Sequence, residues 1–367
     1  MDSEMKGLNI SRDRYLEQSD TLGHIAYPVL GILSYLLFLV FPALICGCNP
    51  LEINGSNLKS PEGTTNTDYR DCVRTSIITD ASLKSLDIFT FEDDRLQRLD
   101  SYQRFDNLSC TGQTYDIASC TGKKILIMLA NNKKDKYEWA DINCRKSLEK
   151  SIFNLENEDY DFPTMTAEHH ITAGKSLCSK LIPLTGEVIL RSIRCDFSGK
   201  SYSGEQMDEI KVYLTNVNAC CGIWNDEDVY PTRIINAGRL NESDMKHMIH
   251  PELICQRFEG KVGNDIAYPD IRLRAFPNSS PEESIGTPFT RLVIEGKICG
   301  KTWYYPIEIN REDKEESGLR RNRCYIYDIT ITSTGLTDSD GAIKRLTADI
   351  VMEVEEWKEK DWYDVRF

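Results

Sequence analysis

The amino-acid sequence predicts a mainly β protein, built from two antiparallel β-sandwich domains with one notable helix in the first domain. Several segments alternate apolar and polar residues, which is the pattern of strands with one buried and one solvated face. Strand-like segments follow one another without a βαβ rhythm, which excludes a doubly wound α/β fold. The 367 residues favour two domains over one, and the boundary is predicted near residues 180–186.

The chain begins with a segment that resembles the signal peptide of a bacterial lipoprotein. Residues 25–45 form an uncharged apolar run of about bilayer length, and the letters ICGC that end at Cys48 resemble a lipobox. We therefore predict that residues 1–47 are removed by cleavage between Gly47 and Cys48, and that Cys48 carries the lipid. The alternative is an uncleaved transmembrane anchor. In both cases the body of the protein lies outside the cytoplasm.

A polar segment follows the predicted lipid site. Residues 48–74 are rich in Gly, Pro, Ser and Thr, which predicts a flexible tether or N-terminal propeptide. Two arginines near its end, Arg70 and Arg74, are candidate sites of proteolytic processing. Eleven of the 13 cysteines lie beyond Cys48. Because eleven is odd, they cannot all pair within one chain, and the sequence leaves their pairing open.

The first predicted domain spans residues 75–182 and contains two strong strand signals and the predicted helix. Residues 82–94 are rich in β-branched and aromatic side chains. Residues 123–132 form an unbroken apolar run closed by Asn-Asn, which is typical of a strand buried on both faces. A helix is predicted over residues 139–157. Its apolar residues share one face at helical spacing: Leu148, Ile152 and Leu155.

The second predicted domain spans residues 183–367 and consists of strands alone. Clean alternation occurs in three of its segments, near residues 290–309, 323–335 and 347–357. In each segment a set of apolar residues shares one face of the strand, and in the first and third segments charged residues point the other way, so one face is predicted to be buried. The residues expected on the buried faces are Leu292, Ile294, Ile298, Tyr325, Tyr327, Ile329, Ile331, Ala348, Ile350, Met352 and Val354.

Composition and motifs indicate no enzyme and no cofactor. The net charge of −14 argues against a nucleic-acid partner, since phosphate contacts need clustered Lys and Arg. No nucleophile elbow, phosphate-binding loop or dinucleotide fingerprint is present. The adjacent pair His169 and His170 would face opposite sides of a strand, so no metal site is expected there. Asp338 and Asp340 are better explained by a turn than by a calcium loop.

Several strings along the sequence resemble one known family in their order and spacing. They are KKILIMLANN, PTMTAE, LTGEVILRSIRCDF, RLVIEGKICGKTWYYPIEIN, RNRCYIYDITITSTG and the terminal TADIVMEVEEWKEKDWYDVRF. Together with LKSLDIFTFEDDRLQRLDSYQ they resemble the Bacteroidales fimbrillins, the type V pilins, over roughly residues 75–367.

The resemblance implies two transthyretin-like sandwiches and assembly by strand exchange. In such pilins the precursor is a lipoprotein, a protease removes an N-terminal strand after an arginine, and a neighbour's C-terminal strands fill the groove that opens. An open sheet edge and an alternating apolar strand suit each other, because pairing satisfies both backbone and side chains. The expected partners are other pilin subunits and the outer membrane. The predicted donor-strand residues are Ala348, Ile350, Met352, Val354 and Trp357.

Two further readings of the function stay open at the level of the sequence. The stalk position in a fimbrium is slightly preferred to the anchor or tip position. A different class of function is a monomeric, lipid-anchored adhesin or glycan-binding module with a host ligand. That reading predicts an aromatic surface platform formed by Trp303, Tyr304 and Tyr305.

Overall fold

Nine strands form the first half of the protein, which is described here by a computed structural model. The described residues are 72–79, 83–108, 114–224, 229–312, 316–340 and 348–356, all within one compact unit, Asp68–Phe367. The predicted signal peptide and most of the predicted tether therefore lie outside the described residues. The strands are β1 (Cys72–Thr79), β2 (Ser85–Glu92), β3 (Leu99–Asp106), β4 (Thr114–Cys120), β5 (Lys123–Ala130), β6 (Ile152–Asn154), β7 (Met165–Thr172), β8 (Leu177–Ser179) and β9 (Ile182–Pro183).

A five-stranded antiparallel sheet, in the order β3-β2-β5-β7-β9, is the centre of this half. Its middle strand β5 is buried from Lys124 to Ala130, as the unbroken apolar run predicted. Alternate residues explain this burial. Leu126 and Met128 join a cluster shared with β4, whereas Ile125, Ile127 and Leu129 join a larger core on the other face.

Strands β1, β4 and the short β8 form a three-stranded sheet with β1 in the middle, in the order β4-β1-β8. Strand β1 runs antiparallel to β4 over seven residue pairs, from Cys72 opposite Cys120 to Ile78 opposite Thr114. It runs parallel to β8 over three pairs. Apolar residues of β4 and of the five-stranded sheet, including Tyr115 and Ile117, are buried in one cluster.

The prediction of a helix over residues 139–157 is wrong. Only α1 (Arg145–Leu148) is helical, and the chain then continues as β6 and a 3-10 turn, Leu155–Asn157. Ile152, which the helical spacing placed in the core, is 51% exposed, whereas its neighbour Phe153 is buried. The reason is pairing with a strand far away in sequence, Cys220–Gly222, which fixes this segment as extended chain and overrides its helical pattern.

Eleven strands and a second short helix lie in the described residues of the other half. The chain changes sheets between Pro183 and Gly186. The helix is α2 (Glu242–His247), and Pro251–Leu253 forms a 3-10 turn. The strands are β10 (Gly186–Cys195), β11 (Asp208–Thr215), β12 (Val217–Asn218), β13 (Cys220–Gly222), β14 (Ile234–Ile235), β15 (Cys255–Arg257), β16 (Ile271–Ala275), β17 (Arg291–Ile298), β18 (Lys301–Glu308), β19 (Arg323–Ile331) and β20 (Ala348–Glu356).

Two four-stranded sheets dominate this half, in the orders β16-β10-β19-β20 and β15-β11-β17-β18. A two-residue turn at Cys299-Gly300, with positive φ at both residues, joins β17 to β18, as expected for a tight hairpin. The predicted alternation in β17 and β19 is confirmed, since the apolar residues at every second position are buried. These residues are Leu292, Ile294, Ile298, Tyr325, Tyr327, Ile329 and Ile331. No helix among the described residues has the length and hydropathy to cross a membrane.

Candidate functional site

Strand β20 lies at the edge of its sheet, and β19 is the strand that pairs with it among the described residues. The pairing is antiparallel and covers nine residue pairs, from Arg323 opposite Glu356 to Ile331 opposite Ala348. An edge strand is held by one ladder of backbone hydrogen bonds, whereas a central strand is held by two. The C-terminal segment predicted as a donor strand is therefore paired with β19 of its own chain. It lies at the edge of the sheet, where a strand can separate by breaking a single ladder of hydrogen bonds.

The inner face of β20 completes the apolar core. Ile350 and Met352 are half-buried and pack against the large core cluster. The hydroxyl of Tyr327, a buried residue of β19, donates a hydrogen bond to the sulfur of Met352 over 3.2 Å. Val354, further along the same face, is 39% exposed. Trp357 lies outside the described residues, so its predicted role as a donor-strand residue stays a prediction.

The outer face of β20 is held by charge as well as by packing. Arg191 of β10 forms ion pairs with Asp328 of β19 and with Glu353 of β20, the latter with 3.5 Å between Nη1 and Oε2. All three side chains are less than one-fifth exposed. Val351 is 4% exposed on the same strand. One cation therefore links three neighbouring strands across the sheet, and β20 is the outermost of them.

Strand β1, in contrast to the edge strand β20, is the central strand of its sheet and lies between β4 and β8. If β1 left the sheet, both neighbours would expose a free edge, which is the template that an incoming strand requires. Arg74, one of the two predicted processing sites, lies inside β1 with Ala118 of β4 opposite. Arg70, the other, lies outside the described residues. Cleavage after Arg74 would thus divide β1, whereas cleavage after Arg70 would leave it whole.

A buried ion-pair group fixes the sheet edge beside β4. The ammonium of Lys124, a fully buried residue of β5, lies 2.9 Å from Glu92 and 3.0 Å from Asp100. Burial alone would lower the pKa of Lys124, but the two carboxylates raise it above its usual value. Asp100 also accepts a hydrogen bond from the backbone N–H of Cys120 over 2.8 Å. The end of β4 is therefore tied to the five-stranded sheet by a charged, water-poor contact.

The aromatic platform expected for a glycan-binding module is wrong. Tyr305 is fully buried, and its hydroxyl donates to the carbonyl of Ser333 over 2.8 Å. Trp303 is half-buried and packs against the core, while Tyr304 lies between them on β18. Successive residues of a strand point to opposite faces, so three consecutive aromatic residues cannot share one surface.

A cleft of about 490 Å³ lies where residues of both halves meet. Arg321 is its main structural element, because its guanidinium donates to the carbonyls of Ile182, Pro183 and Ile223 and to the hydroxyl of Thr166. Sequence reasoning missed this residue, since the acceptors are about 100 to 155 positions away. The other lining residues are Arg145, Ala167, Glu168, Trp224, Arg320, Asn322 and Arg323.

The two adjacent histidines lie on β7, and each makes its own polar contacts. His169 is within 2.8 Å of the hydroxyl of Ser179, and His170 is within 3.2 Å of the carboxylate of Asp93. Across the described parts of the chain, no group of three or more His, Cys, Asp or Glu side chains is arranged to hold a metal ion.

Comparison of the fold with solved structures yields clear matches, whereas no family model and no curated protein sequence matches the chain. A candidate cell adhesion protein from Bacteroides eggerthii DSM 20697 is 12% identical with a TM-score of 0.58, covering 80% of this chain and 98% of that one. The fimbrilin FimA from Porphyromonas gingivalis W83 is 11% identical with a TM-score of 0.56, covering 77% and 97%. The C-terminally truncated tip fimbrial protein Mfa3 from Porphyromonas gingivalis is 12% identical with a TM-score of 0.51, covering 78% and 100%.

These matches define the class of fold. The chain has the mainly β fold of solved Bacteroidales fimbrilins and cell adhesion proteins, over nearly the whole length of each. The resemblance inferred from the sequence strings is thereby confirmed at the level of the fold. Sequence identities of 11–12% support a shared fold and do not by themselves indicate shared partners or a shared mode of assembly.

Proposed function

We propose that this protein is a structural subunit of a cell-surface fimbrium, exported as an outer-membrane lipoprotein with its lipid on Cys48 and assembled by strand exchange. In this proposal each half of the described chain is a transthyretin-like sandwich. The stalk position remains the preferred one, with the anchor and tip positions as alternatives. Other copies of this chain, or related pilin subunits, are its partners.

The observation that carries the proposal is the correspondence between β1 and β20. Strand β1 has eight residues and is the central strand of its sheet, so its departure would open a slot between β4 and β8. Strand β20 has nine residues, lies at an edge, and is apolar at every second position. A strand of that length and pattern supplies both the backbone groups and the apolar side chains that the slot would need. Neither strand requires a ligand or a catalytic group to act.

Deleting residues 349–367 from the full chain tests the proposal. The expected result is loss of polymers, because the deletion removes nearly all of the donor strand, while a deletion of the last four residues alone leaves assembly intact. Assembly that persists without residues 349–367 would contradict strand exchange. Unchanged binding of host ligand together with a strictly monomeric protein would favour the adhesin alternative.

The position within the fimbrium is decided by the N-terminal residue of the mature surface protein. A lipid-bearing Cys48 indicates a retained anchor. A mature chain that begins at Asp71 or Thr75 indicates cleavage after Arg70 or Arg74, which fits a stalk subunit released from its lipid.

A further inference from the structure

Strands β1 and β4 bring two cysteines to directly opposed backbone positions. Cys72 lies opposite Cys120 at one end of the antiparallel ladder. Directly opposed residues of such a ladder have Cα atoms about 4.5 to 5.5 Å apart, and their side chains lie on the same face of the sheet. A disulfide spans Cα atoms about 4.4–6.8 Å apart. The backbone register alone therefore meets the distance requirement for a disulfide.

The hydrogen bonds of β4 show which type of pair this is. The backbone N–H and C=O of Ala118 bond to the side chain of Gln103, over 3.3 and 3.1 Å. The N–H of Cys120, two residues on, bonds to Asp100 over 2.8 Å. These groups are thus engaged on the side of β4 that faces β3, away from β1. Positions 118 and 120 belong to non-hydrogen-bonded pairs, in which the Cα atoms approach most closely, to about 4.5 Å.

The same face of the ladder is open to solvent. Along β4, Asp116 and Ala118 are exposed and Cys120 is half-buried, whereas the residues between them are buried. The hydroxyl of Ser76 donates to the carboxylate of Asp116, its register partner, over 2.6 Å. Ser76 and Asp116 are each four positions from Cys72 and Cys120 along their strands. Residues an even number of positions apart lie on the same face of a sheet, so the two pairs share one face. Side chains of β1 and β4 therefore contact each other across this face, as Ser76 and Asp116 show, and an oxidant in solution can reach the face.

We propose that Cys72 and Cys120 form a disulfide that crosslinks β1 to β4 in the exported chain. The proposal rests on the proposed export, because structural disulfides persist in oxidising compartments. The two thiols lose two protons and two electrons, and an Sγ–Sγ bond forms. The oxidant is the disulfide of a thiol–disulfide oxidoreductase, whose S–S bond breaks as it takes up those protons and electrons and becomes a dithiol.

The bond changes what proteolysis can release. After a cut following Arg74, the segment that carries Cys48 and Cys72 would stay joined to the body through Cys120 until the disulfide is reduced. After a cut following Arg70, Cys72 stays with the body and the lipid is freed at once. The disulfide therefore makes loss of the anchor depend on the choice of arginine, and β1 can leave its slot for strand exchange only after the disulfide has been reduced.

Two-step thiol labelling of the full chain, taken from the cell surface in detergent, tests the bond. Open thiols are alkylated in denaturant without reductant, and thiols freed by later reduction receive a second label. We expect the second label on Cys72 and Cys120, and the first label on the exposed Cys178 and Cys299. In a Cys120→Ser variant, Cys72 should take the first label. First label on both residues of the unaltered surface protein, or a bond from Cys72 to another cysteine, would overturn the proposal.

A second arm separates this proposal from the proposed export. The folded full chain, reduced and then placed in a buffer of oxidised and reduced glutathione, should form the bond between Cys72 and Cys120 wherever the cell locates it, with oxidised glutathione leaving as two thiols. Formation there, with a chain that stays inside the cell, supports the pairing while contradicting the export. Absence of the bond in glutathione overturns the pairing and leaves the proposed function standing.

Discussion

Arg191 and Glu353 face each other across β19, with 3.5 Å between Nη1 and Oε2, although they belong to strands β10 and β20. Arg191 also pairs with Asp328 on the intervening strand, so the guanidinium lies between two carboxylates. The contact links the edge strand to the second strand in from it. Because both side chains are largely shielded from water, removing one partner is expected to cost more than breaking an exposed ion pair does.

Glu353→Gln is expected to loosen β20 without unfolding the protein. Loss of the charge should cost about 1 kcal/mol, which corresponds to roughly a fivefold increase in the opening of the strand. Hydrogen exchange of the β20 amides measures this, with Glu282→Gln as an exposed acidic control. Equal exchange rates in the two variants would show that the ion pair does not hold the strand.

Met352→Ala tests the apolar face of the same strand. The side chain is half-buried and accepts the hydrogen bond of Tyr327, so its removal should lower the free energy of unfolding by about 1–2 kcal/mol. Val354→Ala, at the exposed end of that face, should cost less than about 0.5 kcal/mol. Chemical denaturation measures the free energy of unfolding of both variants. Equal decreases in the two variants would contradict the packing of β20 against the core through Met352.

Lys124→Met should destabilise the protein strongly. The substitution leaves the carboxylates of Glu92 and Asp100 beside each other without their cation, at an expected cost of about 3 kcal/mol. Lys123→Met, at the exposed neighbouring position, is the matched control and should change stability by less than about 0.5 kcal/mol. Denaturant midpoints that shift equally in both variants would exclude the buried ion-pair group as a determinant of stability.

Asp159 supplies an acid-dependent part of the stability. Burial alone would raise the pKa of Asp159, but ion pairs with Lys133 and Lys84, each at 3.1 Å, lower it to about 2. A carboxylate whose folded-state pKa is depressed stabilises the protein above its unfolded pKa, near 3.8, and this contribution is lost as the pH falls toward 2.

Asp159→Asn should therefore lower the free energy of unfolding by about 1–2 kcal/mol at pH 7, and the difference from the unaltered protein should vanish between about pH 4 and pH 2. Asp161→Asn, at the exposed position two residues on, is the control and should leave the free energy of unfolding at pH 7 within about 0.5 kcal/mol of that of the unaltered protein. A difference that persists unchanged at pH 2 would contradict the assignment.

The parts of the fold that the sequence predicted are those in which the pattern of burial is local. Strands β5 and β19 could be recognised because each carries its own apolar pattern over eight or nine consecutive residues. The predicted helix failed because residues 152–154 pair with residues 220–222, and no local pattern records such a partner. The sequence divides β1 between the predicted tether, which ends at Arg74, and the first predicted domain, because its polar residues do not reveal that it lies between two strands.

The candidate site follows the same division. The alternation in residues 348–354 could be read from the sequence, and with it the donor-strand hypothesis. The anchoring contacts could not, because Arg191 is more than 150 positions from Glu353 and the acceptors of Arg321 are scattered through both halves. The pairing of Cys72 with Cys120 likewise depends on strand register, which cysteine spacing does not contain.

Strand exchange requires that β20 leaves its own sheet and enters another copy of the chain. Photo-crosslinking from position 354, in fimbriae assembled from an equal mixture of ¹⁴N- and ¹⁵N-labelled chains, tests whether it does. We expect mixed-isotope crosslinks from β20 to β4 or β8. Crosslinks of a single isotope only, all joining β20 to its own β19, would contradict it.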